Sequence, residues 1–164
     1  MPHNYTTYLQ TPVGRLQITA SNQAVTSVRF VKKNEKVKSG NPNKITRRCE
    51  KQLKEYFAGK RTKFELPLQL DGTEFQKKIW RALLKIPYGK TASYGEIARK
   101  TGNANASRAV GGANNKNKIA IVIPCHRVIG ADGKLTGYAG GLWRKKWLLN
   151  HERNIKMNRK THRT

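Results

Sequence analysis

The chain has 164 residues, with 34 Lys and Arg against 9 Asp and Glu and a formal net charge of +25 at pH 7. This length allows one domain of ordinary size or two small lobes and excludes a large multi-domain machine, while so large an excess of positive charge predicts a polyanionic partner, first of all nucleic acid. No run approaches the roughly 18 consecutive apolar residues of a membrane span and no hydrophobic leader opens the chain, so we expect a cytoplasmic protein with no membrane partner.

The first part of the chain has the pattern of a small sheet covered by a helix. Three stretches rich in Thr, Val, Ile and Tyr alternate with turn residues and predict antiparallel strands at 5–10, 14–21 and 24–31. Apolar residues then recur at helical spacing from Ile45 to Phe57, and Gly59 is expected to end this helix. Residues 66–72 have the composition of a linker, so we place a domain boundary near Gly72.

After the linker the pattern changes to short helices with capping signals. Thr73 begins T-x-x-Q and Ser93 begins S-x-x-E, and each predicts a helix start. The polar turn "NANAS" separates the second of these helices from "RAVGGANN", which is the outline of a helix-turn-helix. The strand-like "IAIVIP", the glycine-rich wing 130–141 and an amphipathic helix over 142–152 follow, and residues 154–164 form a basic tail.

Cys125, between a proline and a histidine in "IVIPCHRVIG", is the first candidate for chemistry. A thiol attacks as the thiolate, and the adjacent His126 could take its proton. Neighbouring side chains of an extended strand point to opposite faces, so this contact requires a local turn or a bridging water. A buried structural thiol beside a chance histidine is the other interpretation, and the residues alone leave both open.

The two cysteines also bear on metals and redox state. Cys49 falls on the core face of its predicted helix, so we expect it to be inert. No CxxC and no Cys/His cluster offers metal-ligand spacing, so we expect reduced thiols, no metal and no cofactor.

Glu152 is the second unusual feature, because it follows Leu148 and Leu149 by four and three residues and so falls on the apolar face of its helix. A carboxylate buried there without a partner would be costly. Contact with His126 would give a Cys-His-Glu relay, in which the carboxylate fixes the tautomer of the imidazole. The alternative is a frayed helix end with Glu152 in solvent or beside a Lys or Arg.

The segment "RAVGGANN" is the third unusual feature of the sequence. Adjacent glycines each cost about 1 kcal/mol in a helix interior, and the remaining side chains are small. Such a surface would let the backbone lie close to a phosphate backbone or in a narrow groove, with Arg108 able to enter the base stack. Close packing against another helix is equally open.

Residues 75–152 resemble the O6-alkylguanine-DNA alkyltransferases, through "PCHR", "SRAVGGA", Asn117, "GYAGG" and "WLLNHE". The resemblance implies an α/β (α+β) fold, with a small ribonuclease-H-like sheet-plus-helix lobe in residues 1–72 and a mostly helical alkyltransferase domain with a winged helix-turn-helix in residues 73–153. It implies a cofactor-free monomer that repairs DNA by moving the alkyl group of O6-alkylguanine irreversibly to Cys125. The implied partner is double-stranded DNA, and O4-alkylthymine and clustering along DNA stay open.

The resemblance also implies roles for single residues. His126 acts through a water with Glu152 behind it, and Asn117 supports this relay. Tyr94 donates to the extruded guanine, and the carbonyls of Cys125 and Val128 accept from its amine. Arg108 fills the gap in the duplex, and its helix binds the minor groove. The implied DNA-binding set is Ser93, Ser107, Arg108, Ala109, Gly111 and Gly112. The implied substrate pocket is Tyr94, Asn114, Val128, Leu135, Tyr138, Ala139 and Gly140.

The chain departs from the family pattern at several points. Ala139 precedes Gly140 where some relatives have serine, but the donor there is a backbone N–H, so activity should survive. Asn114 and Leu135 differ from the residues of other members and put the preference for bulky alkyl groups in question. Some members hold zinc through cysteines in the N-terminal lobe, and no cysteine precedes Cys49 here.

Two other functions fit part of the sequence. The first alternative is a DNA-binding protein that recognises alkylated bases without transfer, with Cys125 unreactive. The second is a cysteine hydrolase using Cys125 and His126, which leaves the charge of +25 unexplained.

Overall fold

In the computed structural model, which describes residues 4–161, the contacts divide the chain into two units. The first contains the residues up to Asp71 together with Lys118–Val122. The second contains Gly72–Asn117 and the residues from Ile123 onward.

The first unit is a three-stranded antiparallel sheet with a helix on one face. Its strands, in the order β1-β2-β3, are Tyr5–Thr11, Gly14–Ala20 and Val25–Phe30. Alternate residues of β2 are buried, at Leu16, Ile18 and Ala20, as expected for a sheet with one covered face. The covering helix α1 is Lys44–Phe57, and its face of Cys49, Leu53 and Tyr56 is buried. This sheet-plus-helix arrangement is the one predicted.

Two segments that the sequence assigned elsewhere bind the outer edge of β3. Val25 forms a parallel bridge with Leu68, inside the predicted linker, and Val28 forms one with Ile119. An edge strand leaves N–H and C=O groups unpaired, and these two segments satisfy them. Residues 118–122, which the sequence analysis assigned to the C-terminal domain, group by their contacts with the first unit.

The second unit is mostly helical. Its helices are α2 Glu74–Leu83, α3 Tyr94–Lys100, α4 Ser107–Asn115 and α5 Leu142–Thr161. A short parallel pair joins β4, Ala92–Ser93, to β5, Val128–Ile129. Thr73 and Ser93 cap α2 and α3 through their hydroxyls, as the sequence predicted. α3, a turn at Gly102 with φ +90°, and α4 form the predicted helix-turn-helix.

The last helix is longer than the sequence indicated. We expected it over 142–152 with a separate basic tail after it, but α5 continues to Thr161. Residues 153–161 contain no glycine or proline that would end a helix, although their apolar periodicity has stopped. The rest of the predicted tail, 162–164, lies outside the described residues. None of the helices in residues 4–161 is both long and apolar enough to cross a membrane.

Candidate active site and DNA-binding surface

The backbone turns sharply just before and at Cys125. Pro124 has φ −81° and ψ 62°, and the Cys125 N–H donates to the Ile123 carbonyl at 2.8 Å, which is an inverse γ-turn. A 3₁₀ turn, Cys125–Arg127, follows directly, and the Val128 N–H donates to the Cys125 carbonyl. The strand expected here is therefore interrupted by the kind of local turn that a Cys-His pair requires.

His126 and Glu152 form a buried pair. Nε2 of His126 lies 2.6 Å from Oε2 of Glu152, although the residues are 26 positions apart, and the two side chains are 0% and 1% exposed. Burial lowers the pKa of His126 more than the facing carboxylate raises it, so the ring is neutral. A carboxylate only accepts, so Nε2 carries the proton and Nδ1 keeps its lone pair. Nδ1 is buried and has no hydrogen-bond partner among the described residues, which makes it a base without an assigned proton donor.

Arg127 completes this pair, and the sequence interpretation had given it no role. Its Nε donates to Oε1 of Glu152 at 2.7 Å, its Nη2 to Oε2 at 3.1 Å, and its Nη1 to the carbonyl of Ile86 at 2.8 Å. Burial alone would raise the pKa of Glu152, but the charge of Arg127 and the hydrogen bonds from His126 and Arg127 outweigh it and hold that pKa well below its usual range. Glu152 is therefore ionised, and it orients the His126 ring.

The Cys125 thiol is nearly buried, at 8% exposure. Burial raises its pKa, while a hydrogen bond from Asn117 and the charge of Lys145 lower it in part. Asn117 also donates to the carbonyl of Ile123 at 2.9 Å, which holds it beside the γ-turn. Cys125 is thus a thiol at rest, with groups around it that favour the thiolate and a base next to it in sequence.

Cys49 is a buried thiol of the first unit, whereas Asn114 of the second unit contacts Cys125. Burial, together with the charge of Glu50, raises the pKa of Cys49 to about 12, as suits an inert core thiol. Asn114, predicted to line the pocket, is buried and donates from Nδ2 to the Cys125 carbonyl at 3.3 Å. Its Oδ1 has no partner among the described residues.

The β4/β5 pair brings the start of α3 beside the segment after the thiol. Ala92 pairs with Val128, and Tyr94 follows at the first position of α3. The Tyr94 hydroxyl donates to the carbonyl of Thr136 at 3.0 Å, in the glycine-rich loop 130–141. Lys145 donates to the same carbonyl at 2.7 Å. Sequence reasoning had missed Lys145.

The remaining pocket residues lie in or next to the glycine-rich loop. Val128 is fully buried, Leu135, Tyr138 and Gly140 are half-buried, and Ala139 is exposed. Burial raises the pKa of Tyr138 well above its usual value, so its hydroxyl stays protonated. One face of this loop is therefore available to a ligand while Val128 forms part of the core.

Helix α4 presents a flat outer surface. Arg108, Ala109 and Gly112 are exposed, whereas Val110 and Ala113 are buried. A Cβ atom at Gly112 would meet nothing within 4 Å, so packing within the unit does not require this glycine.

The other predicted DNA-binding residues adjoin this surface. A Cβ at Gly111 would lie 3.7 Å from the Tyr94 ring, so this glycine faces the pocket side of α4. The hydroxyls of Ser93 and Ser107 both lie 3.9 Å from the Cβ position of Gly95, where α3 meets α4. The helix-turn-helix therefore carries small and hydroxyl side chains that are half-buried at Ser93, Ser107 and Gly111 and exposed at Ala109 and Gly112, with the exposed Arg108 beside them.

No group of three or more His, Cys, Asp or Glu side chains within residues 4–161 is arranged to hold a metal ion.

Two known protein families match the chain, one in each of its two parts. The family described as "6-O-methylguanine DNA methyltransferase, DNA binding domain" matches residues 74–154, and "6-O-methylguanine DNA methyltransferase, ribonuclease-like domain" matches residues 4–70. A methylated-DNA–protein-cysteine methyltransferase of Methanosarcina acetivorans is 47% identical over 152 residues, which are 90% of this chain and 97% of that protein. One of Mycolicibacterium paratuberculosis is 51% identical over 149 residues, 88% of this chain and 90% of that protein.

Solved structures give the same result. The crystal structure of Mycobacterium tuberculosis O6-methylguanine methyltransferase superposes with a TM-score of 0.85 at 42% identity and covers 93% of this chain and 94% of the other. The structure of Mycobacterium tuberculosis OGT in complex with DNA superposes with a TM-score of 0.83 at 45% identity and the same coverage.

Proposed function

The chain belongs to the 6-O-methylguanine DNA methyltransferase family, and from this premise we propose that it repairs DNA by moving the alkyl group of O6-alkylguanine to Cys125. The resemblance seen in the sequence is confirmed. The observation that carries the assignment of roles is the buried Nδ1 of His126, which keeps its lone pair while Nε2 is held by Glu152, in the residue that directly follows the nearly buried Cys125. A histidine held in this tautomer can accept the thiol proton.

The proposed reaction is one substitution. His126 Nδ1 takes the proton of Cys125 through one water, and the thiolate electron pair forms a bond to the alkyl carbon. The bond from that carbon to O6 breaks, its electron pair stays on guanine, and guanine takes up one proton. The products are a Cys125 thioether and unmodified guanine. A thioether has no good leaving group, so each chain acts once.

Tyr94 is the proposed proton donor to the leaving guanine. Its hydroxyl contacts the glycine-rich loop, where it donates to the Thr136 carbonyl at 3.0 Å, so the hydroxyl is already oriented as a donor. A positioned general acid contributes about 10²- to 10⁴-fold to such a step. The proton that His126 collects returns to Tyr94 and restores the site.

The target atom is out of reach inside a duplex, so we propose that the base is extruded into the pocket while Arg108 fills the gap. Support comes from the exposed position of Arg108 on α4 and from the bare surface of Ala109 and Gly112 beside it, which suits close approach to the minor groove. The charge of +25 supplies affinity that does not depend on base sequence. We place the protein with the DNA, in the cytoplasm, as a monomer.

Mass spectrometry tests the function directly. After incubation with an equimolar duplex carrying one O6-methylguanine, we expect one added methyl group on the Cys125 peptide, restored guanine, and no reaction with a second equivalent. The Cys49 peptide should stay unmodified. Tight binding with the lesion retained would make the protein a damage sensor, and repeated turnover would make it a hydrolase.

The extrusion role is tested by an Arg108→Ala variant. We expect its transfer rate from a duplex to fall on the order of 10-fold or more, because unstacking a base costs a few kcal/mol and the gap is left unfilled. Transfer from the same lesion in a single strand should change little, since no stacked position has to be filled. The matched control is Lys116→Ala, which removes an exposed cation just after the same helix. Equal losses on both substrates would show that Arg108 contributes only charge.

A further inference from the structure

Lys145 is a fully buried lysine on α5, with 0% exposure. No carboxylate of the described residues lies within ion-pair distance of it, because its ammonium donates instead to two main-chain carbonyls, Thr136 at 2.7 Å and Gly137 at 3.4 Å. Burying an ammonium is costly, and a Met of similar length would fill the same space without that cost. The charge therefore has a use at this place in the fold.

The carbonyl of Thr136 joins Lys145 to Tyr94. Both side chains donate to this oxygen, at 2.7 Å and 3.0 Å, and the Thr136 hydroxyl donates to the Tyr94 hydroxyl at 3.4 Å. The ammonium also lies 5.9 Å from the centre of the Tyr94 ring. Gly137, with φ +49°, lets the loop turn here, and a Cβ on it would lie 3.8 Å from the Tyr94 hydroxyl. One cation thus fixes the loop and the hydroxyl that rests on it.

We propose that Lys145 is a positioning residue for alkyl transfer: its ammonium holds the Thr136 carbonyl, and that carbonyl aims the Tyr94 hydroxyl at the leaving base. The proposal rests on the proposed function, since Tyr94 is the proton donor there. When the base binds, the Tyr94 hydroxyl changes its acceptor from the Thr136 carbonyl to the guanine, and it is already oriented to donate. The Thr136 carbonyl still accepts from Lys145 after Tyr94 has left it, so the loop keeps its conformation without the Tyr94 hydrogen bond.

Charge at Lys145 should show in the pH dependence of transfer. Burial lowers its pKa to about 8, and a negative charge on Cys125 opposes this only once the thiol has ionised. The titratable groups that interact with it are Tyr94 from α3 and Cys125 and His126 from the 3₁₀ turn, and the loop adds Tyr138 directly after Gly137. Loss of a proton makes Cys125 and His126 more reactive, so their titration raises the transfer rate as the pH rises. Loss of the Lys145 charge is expected to lower the transfer rate as the pH rises through about 8.

A double-mutant cycle tests the proposal. Single-turnover transfer from a methylated duplex is measured for the wild-type chain, Lys145→Met, Tyr94→Phe and the double variant, with Lys146→Met, an exposed neighbour, as the control. We expect Lys145→Met to lower the rate on the order of 10²-fold in the wild-type background, the cost of a misplaced catalytic group. In the Tyr94→Phe background the same change should cost less than about threefold, because the two residues act on one step. Lys146→Met should leave the rate unchanged.

The outcomes separate the possible roles. Equal losses in both backgrounds would overturn the proposal, because a merely structural or thiolate-stabilising lysine costs the same with or without the Tyr94 hydroxyl. If Lys145→Met does not fold, the transfer rate is measured from pH 7 to pH 9, about one unit on each side of the pKa, for the wild-type chain, for Tyr94→Phe and for Lys145→Arg, which keeps its charge throughout. A fall in rate in the wild-type chain alone supports the role, and a fall that persists in either variant, or that is absent from the wild-type chain, overturns it. A wild-type chain that transfers no methyl group would instead refute the proposed function itself.

Discussion

A Cys125→Ala variant is expected to bind a duplex carrying O6-methylguanine as tightly as the wild-type chain does and to transfer nothing. The thiol is the proposed acceptor of the alkyl group, and alanine has no nucleophilic atom to replace it. Binding rests on the exposed surface of α4 and on the net charge of +25, neither of which the substitution touches. Transfer is read from the intact mass, and binding from a fluorescence titration at two salt concentrations.

Cys49→Ala is the matched control, because the chain offers one further cysteine of equal size. Cys49 is fully buried in the first unit and burial raises its pKa to about 12, so it is neither accessible nor reactive. This variant should accept one methyl group as before, with a loss of stability of about 1 kcal/mol from the emptied volume. Methyl transfer that persists in Cys125→Ala, or that disappears in Cys49→Ala, would assign the acceptor to the wrong cysteine.

The local features of the fold could be predicted from the sequence because their causes are local. Thr73 and Ser93 cap helices through hydroxyls three residues from the N–H groups they accept from. The position of Glu152 on the apolar face followed from the spacing of Leu148 and Leu149, and in the structure its side chain is 1% exposed. The same spacing placed Lys145 on that face, three residues before Leu148, so its burial was available as a signal and was overlooked.

The long-range contacts could not be predicted, because the sequence of one segment does not identify the distant segment that will pair with it. The composition of 119–124 indicates a strand but not that Ile119 will pair with Val28. The position of Glu152 on the apolar face of α5 predicts that it needs a partner but does not identify that partner. In the structure both His126 and Arg127 contact it. Helix α5 runs past Glu152 because no residue ends it, although the periodicity that predicts burial has ended.

The network around Glu152 links stability to reactivity in the second unit. Arg127 is buried and has this carboxylate as a counter-ion, and His126 has its tautomer set by the same carboxylate. One ionised group thus compensates the burial of a guanidinium and supplies the orientation of the proposed base. Neutralising it should damage both properties in a single variant.

We expect Glu152→Gln to lower the free energy of unfolding by about 3–5 kcal/mol, the usual cost of removing one partner of a buried ion pair. The amide has one acceptor where the carboxylate has two. If its oxygen faces Arg127, its NH₂ group meets the Nε2–H of His126, and the ring must move its proton to Nδ1. Nδ1 then no longer accepts, so the transfer rate should fall by about 10²- to 10⁴-fold, the contribution of a general base. If the amide is reversed, its NH₂ group meets Arg127 instead and stability is lost further.

The pH dependence gives this prediction a sign. The pKa of Glu152 is lowered by folding, so its stabilising effect is fully present above the pKa of the unfolded chain and is lost as the pH falls below it. The difference in unfolding free energy between the wild-type chain and Glu152→Gln should therefore be constant near neutrality and shrink below about pH 5, measured by denaturant titration. Glu74→Gln is the control, since its side chain is 89% exposed and the change should stay within about 0.5 kcal/mol. A Glu152→Gln variant as stable and as fast as Glu74→Gln would show that neither Arg127 nor His126 depends on the carboxylate.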